Sequence, residues 1–170
     1  MELYDYKALI INWAEEREAF TKWTLQGQYD KIVEESEELI EAIENNDYWE
    51  MVDGVGDTFV TLIILEEMIK RKFYRSFKID FEELGHYART VDEKCIEELR
   101  GEVEGIGCGI DVEDIDWVEN STKYILAIIK KIASDKLNVS LEFCADYAYN
   151  EIKDRTGHVD PSSGNYVKDK

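Results

Sequence analysis

A single proline, Pro161, stands in the whole 170-residue chain. The commonest helix breaker is therefore missing from the first 160 residues, and the sequence is rich in Glu, Leu, Ile, Ala and Lys. That combination predicts an all-α helical bundle. The length suits one domain with a sizeable core. Hydrophobic residues make up 44% of the chain, which is enough to fold it despite 35% charged residues. The formal charge is −19, from 39 acids against 20 Lys and Arg. Such a surface repels phosphate backbones, so no nucleic-acid partner is expected, and an anionic substrate would need metal ions to bridge it to the protein. The longest apolar run near the middle, 58–65, is far below the ~20 residues that span a bilayer. The start MELYDYK lacks the features of a secretory leader. A cytoplasmic protein with no membrane partner is expected. Cys95, Cys108 and Cys144 are odd in number and widely spaced, and fit neither a disulfide framework nor a zinc pattern.

The 3.6-residue period marks a first helix over about 4–21, which LQGQ interrupts or bends, and a second over about 28–44. Asn45-Asn46-Asp47 supplies turn and cap chemistry before a third helix over about 48–72, whose VTLIIL is core material. Beyond it the pattern weakens. A helix over about 80–100 is followed by the glycine-rich GEVEGIGCGIDVEDID, which reads as an acidic loop or solvated face. Helices over about 118–135 and 140–154 precede a polar tail, 156–170, expected to be extended or mobile. Nothing alternates strictly enough for a sheet. The whole chain reads as a single domain.

Two acid clusters carry the chemistry. In KIVEESEELIEAI, Glu35 and Glu38 stand three apart on one helix face, with Lys31 one turn earlier and Gln28 on the same stripe. In EMVDGVGDTFVTLII, Glu50, Asp53 and Asp57 follow an i, i+3, i+7 spacing. Asp57 directly precedes the most apolar segment, where a solvated carboxylate is out of place, and Gly54 and Gly56 beside it permit close approach of a helix or ligand. Two adjacent antiparallel helices presenting such acids form a carboxylate cage suited to a hard cation, Mg²⁺ or Mn²⁺.

Four strings in order, WAEEREAF, QYDKIVEESEELIEAI, DGVGDTFVTLIIL and AYNEIKDRTG, resemble the MazG-like all-α nucleoside triphosphate pyrophosphohydrolases, especially the forms seen in bacteriophages. The likeness covers about 13–65 and 146–166. The stretch 70–138 is an insertion relative to the compact family pattern. The resemblance implies divalent-metal-dependent cleavage of a nucleoside or deoxynucleoside triphosphate to monophosphate and pyrophosphate, with an EXXE and a later EXXD motif holding the ions. Glu35 and Glu38 satisfy the first. In the second, aligned on Asp57, the expected Glu is Gly54, and Asp53 is the substitute. The implied metal ligands are then Glu35, Glu38, Asp53 and Asp57, with Glu35 or Glu34 as the base. Gln28, Lys31, Asn150, Lys153 and Arg155 are candidates for phosphate, and Trp13 for the base. His86 and His158 receive no role. The resemblance also implies a homo-oligomer, a dimer or tetramer. Competing readings are a metal-free acidic decoy that mimics DNA and, within the fold, a phosphoribosyl-ATP pyrophosphohydrolase.

Overall fold

The computed structural model of the protein describes residues 1–86 and 94–170. The described residues form seven α-helices and one small hairpin: α1 Leu3–Glu16, α2 Ala19–Lys22, α3 Leu25–Glu44, α4 Tyr48–Phe73, α5 Lys94–Asp111, α6 Ile115–Ile132, α7 Leu141–Ile152, β1 Gly157–Val159 and β2 Tyr166–Lys168. A 3₁₀ turn at Glu83–His86 and a π-helical turn at Ala133–Leu137 complete the set. The all-α expectation holds, and no described helix is long and apolar enough to cross a membrane.

Helix α4 is the axis of the bundle. Phe59, Leu62, Ile63, Leu65 and Ile69 are fully buried along it, because α1, α3, α6 and α7 all pack against it. A helix apolar on every side has no other stable place. Its start is fixed by Asp47, whose carboxylate accepts from the Glu50 amide at 3.3 Å. Two glycines set how closely its neighbours come. A Cβ on Gly54 would lie 3.0 Å from Leu39 Cα of α3, and one on Gly56 would run into the Cys144 carbonyl of α7. These residues admit helices, not a ligand.

Four parts of the chain differ from the sequence-based expectation. LQGQ does not break the chain; it is the first turn of α3, which Thr24 caps by accepting from the Gly27 amide at 3.0 Å. The break comes earlier, where Glu18 takes a left-handed backbone (φ 57) between α1 and α2. The glycine-rich stretch is not a loop but most of α5. Four glycines cost such a helix about 1 kcal/mol each in propensity, and packing offsets that cost. Gly105 and Gly109 let α6 approach through Ser121 and Val118, and the Tyr29 ring of α3 lies where a Gly107 Cβ would sit. Of the expected 80–100 helix, residues 87–93 lie outside the described residues; among the described ones, Glu83–His86 form the 3₁₀ turn and the part from Lys94 on belongs to α5. The tail is not free either. Its β1 and β2 pair antiparallel, Gly157 with Lys168 and Val159 with Tyr166, and fold back on α1 and α3.

Candidate active site

A cavity of about 560 Å³ opens between α1, α3, α4, the end of α7 and the hairpin. One end is charged and is lined by Lys31, Glu34, Glu35, Asp57, Arg155 and Lys168. Helix α3 delivers the first three through the i, i+3, i+4 stripe, and α4 presents Asp57 opposite them. The Lys31 ammonium lies 2.9 Å from Glu34 and 2.9 Å from Glu35. Burial lowers the Lys31 pKa, but the hydrogen bonds it donates to Glu35 and Glu34 outweigh that, so the ammonium is held above its ordinary value.

The carboxylates act on one another. Burial pushes the Asp57 carboxyl up to about 7, with Glu35 and Asp53 adding repulsion and Arg155 and Lys168 opposing it. Asp53 is raised by burial, then by Glu151, Glu35 and Glu50. Glu38 is raised by burial, then by Glu35 and Glu34. Glu35 is common to all three, and its residue is 7% exposed. It is the hub on which α3 and α4 converge. This all-oxygen donor set with shared negative charge fits a hard divalent ion. Among the described residues no three of these groups stand in a metal-ligating arrangement.

The structure sorts the other sequence-based candidates. Gln28 lines the cavity but is buried, and its Nε2 donates to the Thr61 carbonyl at 2.8 Å, tying α3 to α4. Trp13 lines the cavity and donates Nε1 to the Ile152 carbonyl at 2.7 Å, which pins α7 to α1. Arg155 reaches the charged end and pairs with Glu151 at 3.2 Å. Asn150 and Lys153 are not brought to the cavity. They sit on the exposed side of the end of α7, where Lys153 Nζ donates to Asn150 Oδ1 at 2.9 Å. Gly54, at the position of the expected Glu, faces Leu39 and not the acids, while Asp53, its immediate neighbour, is turned toward them.

Several site residues escaped the sequence reading. Glu151, within the string AYNEIKDRTG, acts on Asp53 and is not among the candidates that the string supplies, Asn150, Lys153 and Arg155. Trp23, Asn165, Tyr166 and Lys168 also line the cavity. The Trp23 and Tyr166 rings lie 5.0 Å apart, and Trp13 meets both edge-on at 6.3 and 6.0 Å. A lone tyrosine in an otherwise polar tail was the available signal. Trp23 Nε1, Asn165 Oδ1 and Tyr166 Oη are buried with no hydrogen-bond partner. Each such atom costs about 1–3 kcal/mol in a folded protein.

Among the described residues, the two longest helices of an all-α bundle bring carboxylates together at a cation-bearing cavity. Residues 24–86 match the family model of the MazG nucleotide pyrophosphohydrolase domain, and that segment is similar to it. The matched segment holds Gln28, Lys31, Glu34, Glu35, Glu38, Asp53 and Asp57. Trp13, Arg155 and the hairpin lie outside it. Comparison with curated proteins and with solved structures found no match.

Proposed function

We propose that the protein hydrolyses a nucleoside or deoxynucleoside triphosphate at the α–β phosphoanhydride, with Mg²⁺ or Mn²⁺, releasing monophosphate and pyrophosphate. The observation that carries this reading is the meeting of α3 and α4 acids with Lys31 and Arg155 at one end of a cavity large enough for a nucleotide. Glu35, Glu38, Asp53 and Asp57 would hold the ion, which supplies Lewis acidity to the phosphoryl oxygens. Glu35 or Glu34 accepts the proton of the attacking water, in reach of Lys31, which keeps that carboxylate oriented. Arg155, and Lys168 beside it, offset the charge gathering on the leaving pyrophosphate. Gln28 and Trp13 hold the walls in place through their bonds to the Thr61 and Ile152 carbonyls.

A homo-oligomer in the cytoplasm, serving nucleotide-pool control or phage-type DNA synthesis, completes the reading. Exposed Tyr48, Trp49 and Phe143 along α4 and α7 offer the apolar surface that subunit contact would bury. Light scattering in solution gives the subunit count.

The test is pyrophosphate release from the eight common NTPs and dNTPs, each with Mg²⁺ and with Mn²⁺. At least one nucleotide should be turned over in strict dependence on the metal. Release of single phosphates in place of pyrophosphate, or no turnover of any nucleotide, would sink the assignment. Glu34→Gln and Glu35→Gln then separate the two candidate bases. The variant lacking the base loses turnover while still binding metal.

A further inference from the structure

Phosphate chemistry accounts for one end of the cavity and leaves the other unexplained. That other end is walled by Val60, Ile64 and Ile152 and by the rings of Trp13, Trp23 and Tyr166. It is an apolar and aromatic surface of the kind that flat rings stack on. Five buried side-chain atoms lack a hydrogen-bond partner among the described residues, and three of them, Trp23 Nε1, Asn165 Oδ1 and Tyr166 Oη, belong to residues of this end. Buried polar atoms are nearly always satisfied, so three orphans in one small cluster point to a ligand that satisfies them.

The hairpin is built to hold that cluster in place. Its turn is closed by the Gly164 amide donating to the Asp160 carbonyl at 2.8 Å and the Asp160 amide donating to the Asn165 carbonyl at 2.9 Å. The Asp160 carboxylate accepts from the Ser162 amide and hydroxyl at 2.8 and 2.7 Å. Gly164, with φ +71, then presses on Thr24, and the Asn165 side chain fills the space that a Gly27 side chain would occupy. The hairpin tip is thus seated on the first turn of α3, the helix that carries the acids.

The three orphaned atoms comprise a donor only, an acceptor, and a hydroxyl that serves as either. The edge of a nucleobase sets acceptors beside donors on a flat ring, whereas a ribose or a phosphate offers no such ring. We propose that Trp23 and the C-terminal hairpin form the base-reading end of the nucleotide site, with Asn165 and Tyr166 as specificity-determining residues. This assignment rests on the triphosphate reading of the charged end. The base is taken up against the rings of Trp13, Trp23 and Tyr166, and its edge answers the unpartnered groups of Trp23, Asn165 and Tyr166.

Isothermal titration of the metal-free protein with the nucleoside monophosphates of all five bases, and with ribose 5-phosphate, tests the proposal. The monophosphates should bind, one or two of them preferentially, and ribose 5-phosphate at least tenfold more weakly. Tyr166→Phe, which removes one oxygen only, and Asn165→Ala should each narrow the gap between preferred and disfavoured bases about fivefold. Circular dichroism confirms that the variants are folded. Equal binding of ribose 5-phosphate, or an unchanged base preference in both folded variants, would overturn the assignment. A wild type that discriminates bases but releases no pyrophosphate from any triphosphate would keep the hairpin site and remove the hydrolytic reading.

Discussion

Asp57 shows how much one residue's neighbours matter. Its carboxyl titrates near 7 in the folded protein because burial, Glu35 and Asp53 all oppose its charge, against an ordinary value of 3.8. A raised pKa means that the folded state holds the proton more tightly than the unfolded one, so this group's contribution to stability is full below about pH 3.8 and is lost as pH rises through about 7. Metal-free wild type should therefore lose ground to Asp57→Asn progressively over that window and stay behind above it. Urea denaturation of both at a series of pH values checks this, and parallel curves would argue against it. The same substitution, like Glu38→Gln, should abolish pyrophosphate release with the helical circular dichroism signal unchanged, because each removes an anionic oxygen without changing shape. Gly54 is the converse case. Glu at this position would restore the family's EXXD spacing, yet the position faces Leu39 of α3. Gly54→Glu should lower the melting temperature and the activity, since a new side chain there parts α3 from α4 before it can reach an ion.

Elements were legible in the sequence wherever their chemistry was local. The Asn45-Asn46-Asp47 turn and the apolar period of α4 are properties of adjacent residues, and each stands where the sequence puts it. Helix α5 was not legible, because propensity counts glycines as a cost and cannot see Tyr29, Val118 and Ser121 filling the space they leave. The hairpin was missed for a related reason: its strands are three residues long, and they are held by contacts with residues more than a hundred positions away. Of the acids picked out by their spacing on α3 and α4, Glu35 and Asp57 line the cavity, and Glu38 and Asp53 do not. Which cation serves them was not legible, since the end of α7 turns Arg155 inward and leaves Lys153 outside. Arg155→Ala should raise the KM for the triphosphate about tenfold or lower kcat, with metal affinity little changed. Lys153→Ala should stay near wild type. Steady-state kinetics on the two single variants separates them, and equal losses in both would mean that the α7 end rearranges with substrate.

At the scale of the whole molecule, the −19 charge includes a group of mutually repelling carboxylates where α3 meets α4. A divalent ion that binds there prefers the folded chain, so saturating Mn²⁺ should raise the melting temperature by several degrees. Glu35→Gln combined with Glu38→Gln should remove most of that shift. An equal shift in the double variant would mean general screening of a −19 surface. The bundle tolerates this group because the fully buried core of α4 continues well beyond the acids, from Phe59 to Ile69, and fixes the helices regardless. The repulsion among Glu35, Glu38, Asp53 and Asp57 also sets the direction in which the sequence can drift. In a library sorted for heat resistance without metal, neutral replacements at these positions should be enriched early, and the most heat-resistant survivors should be the least active. Sorting the same library with Mn²⁺ present should reverse that order and retain the acids.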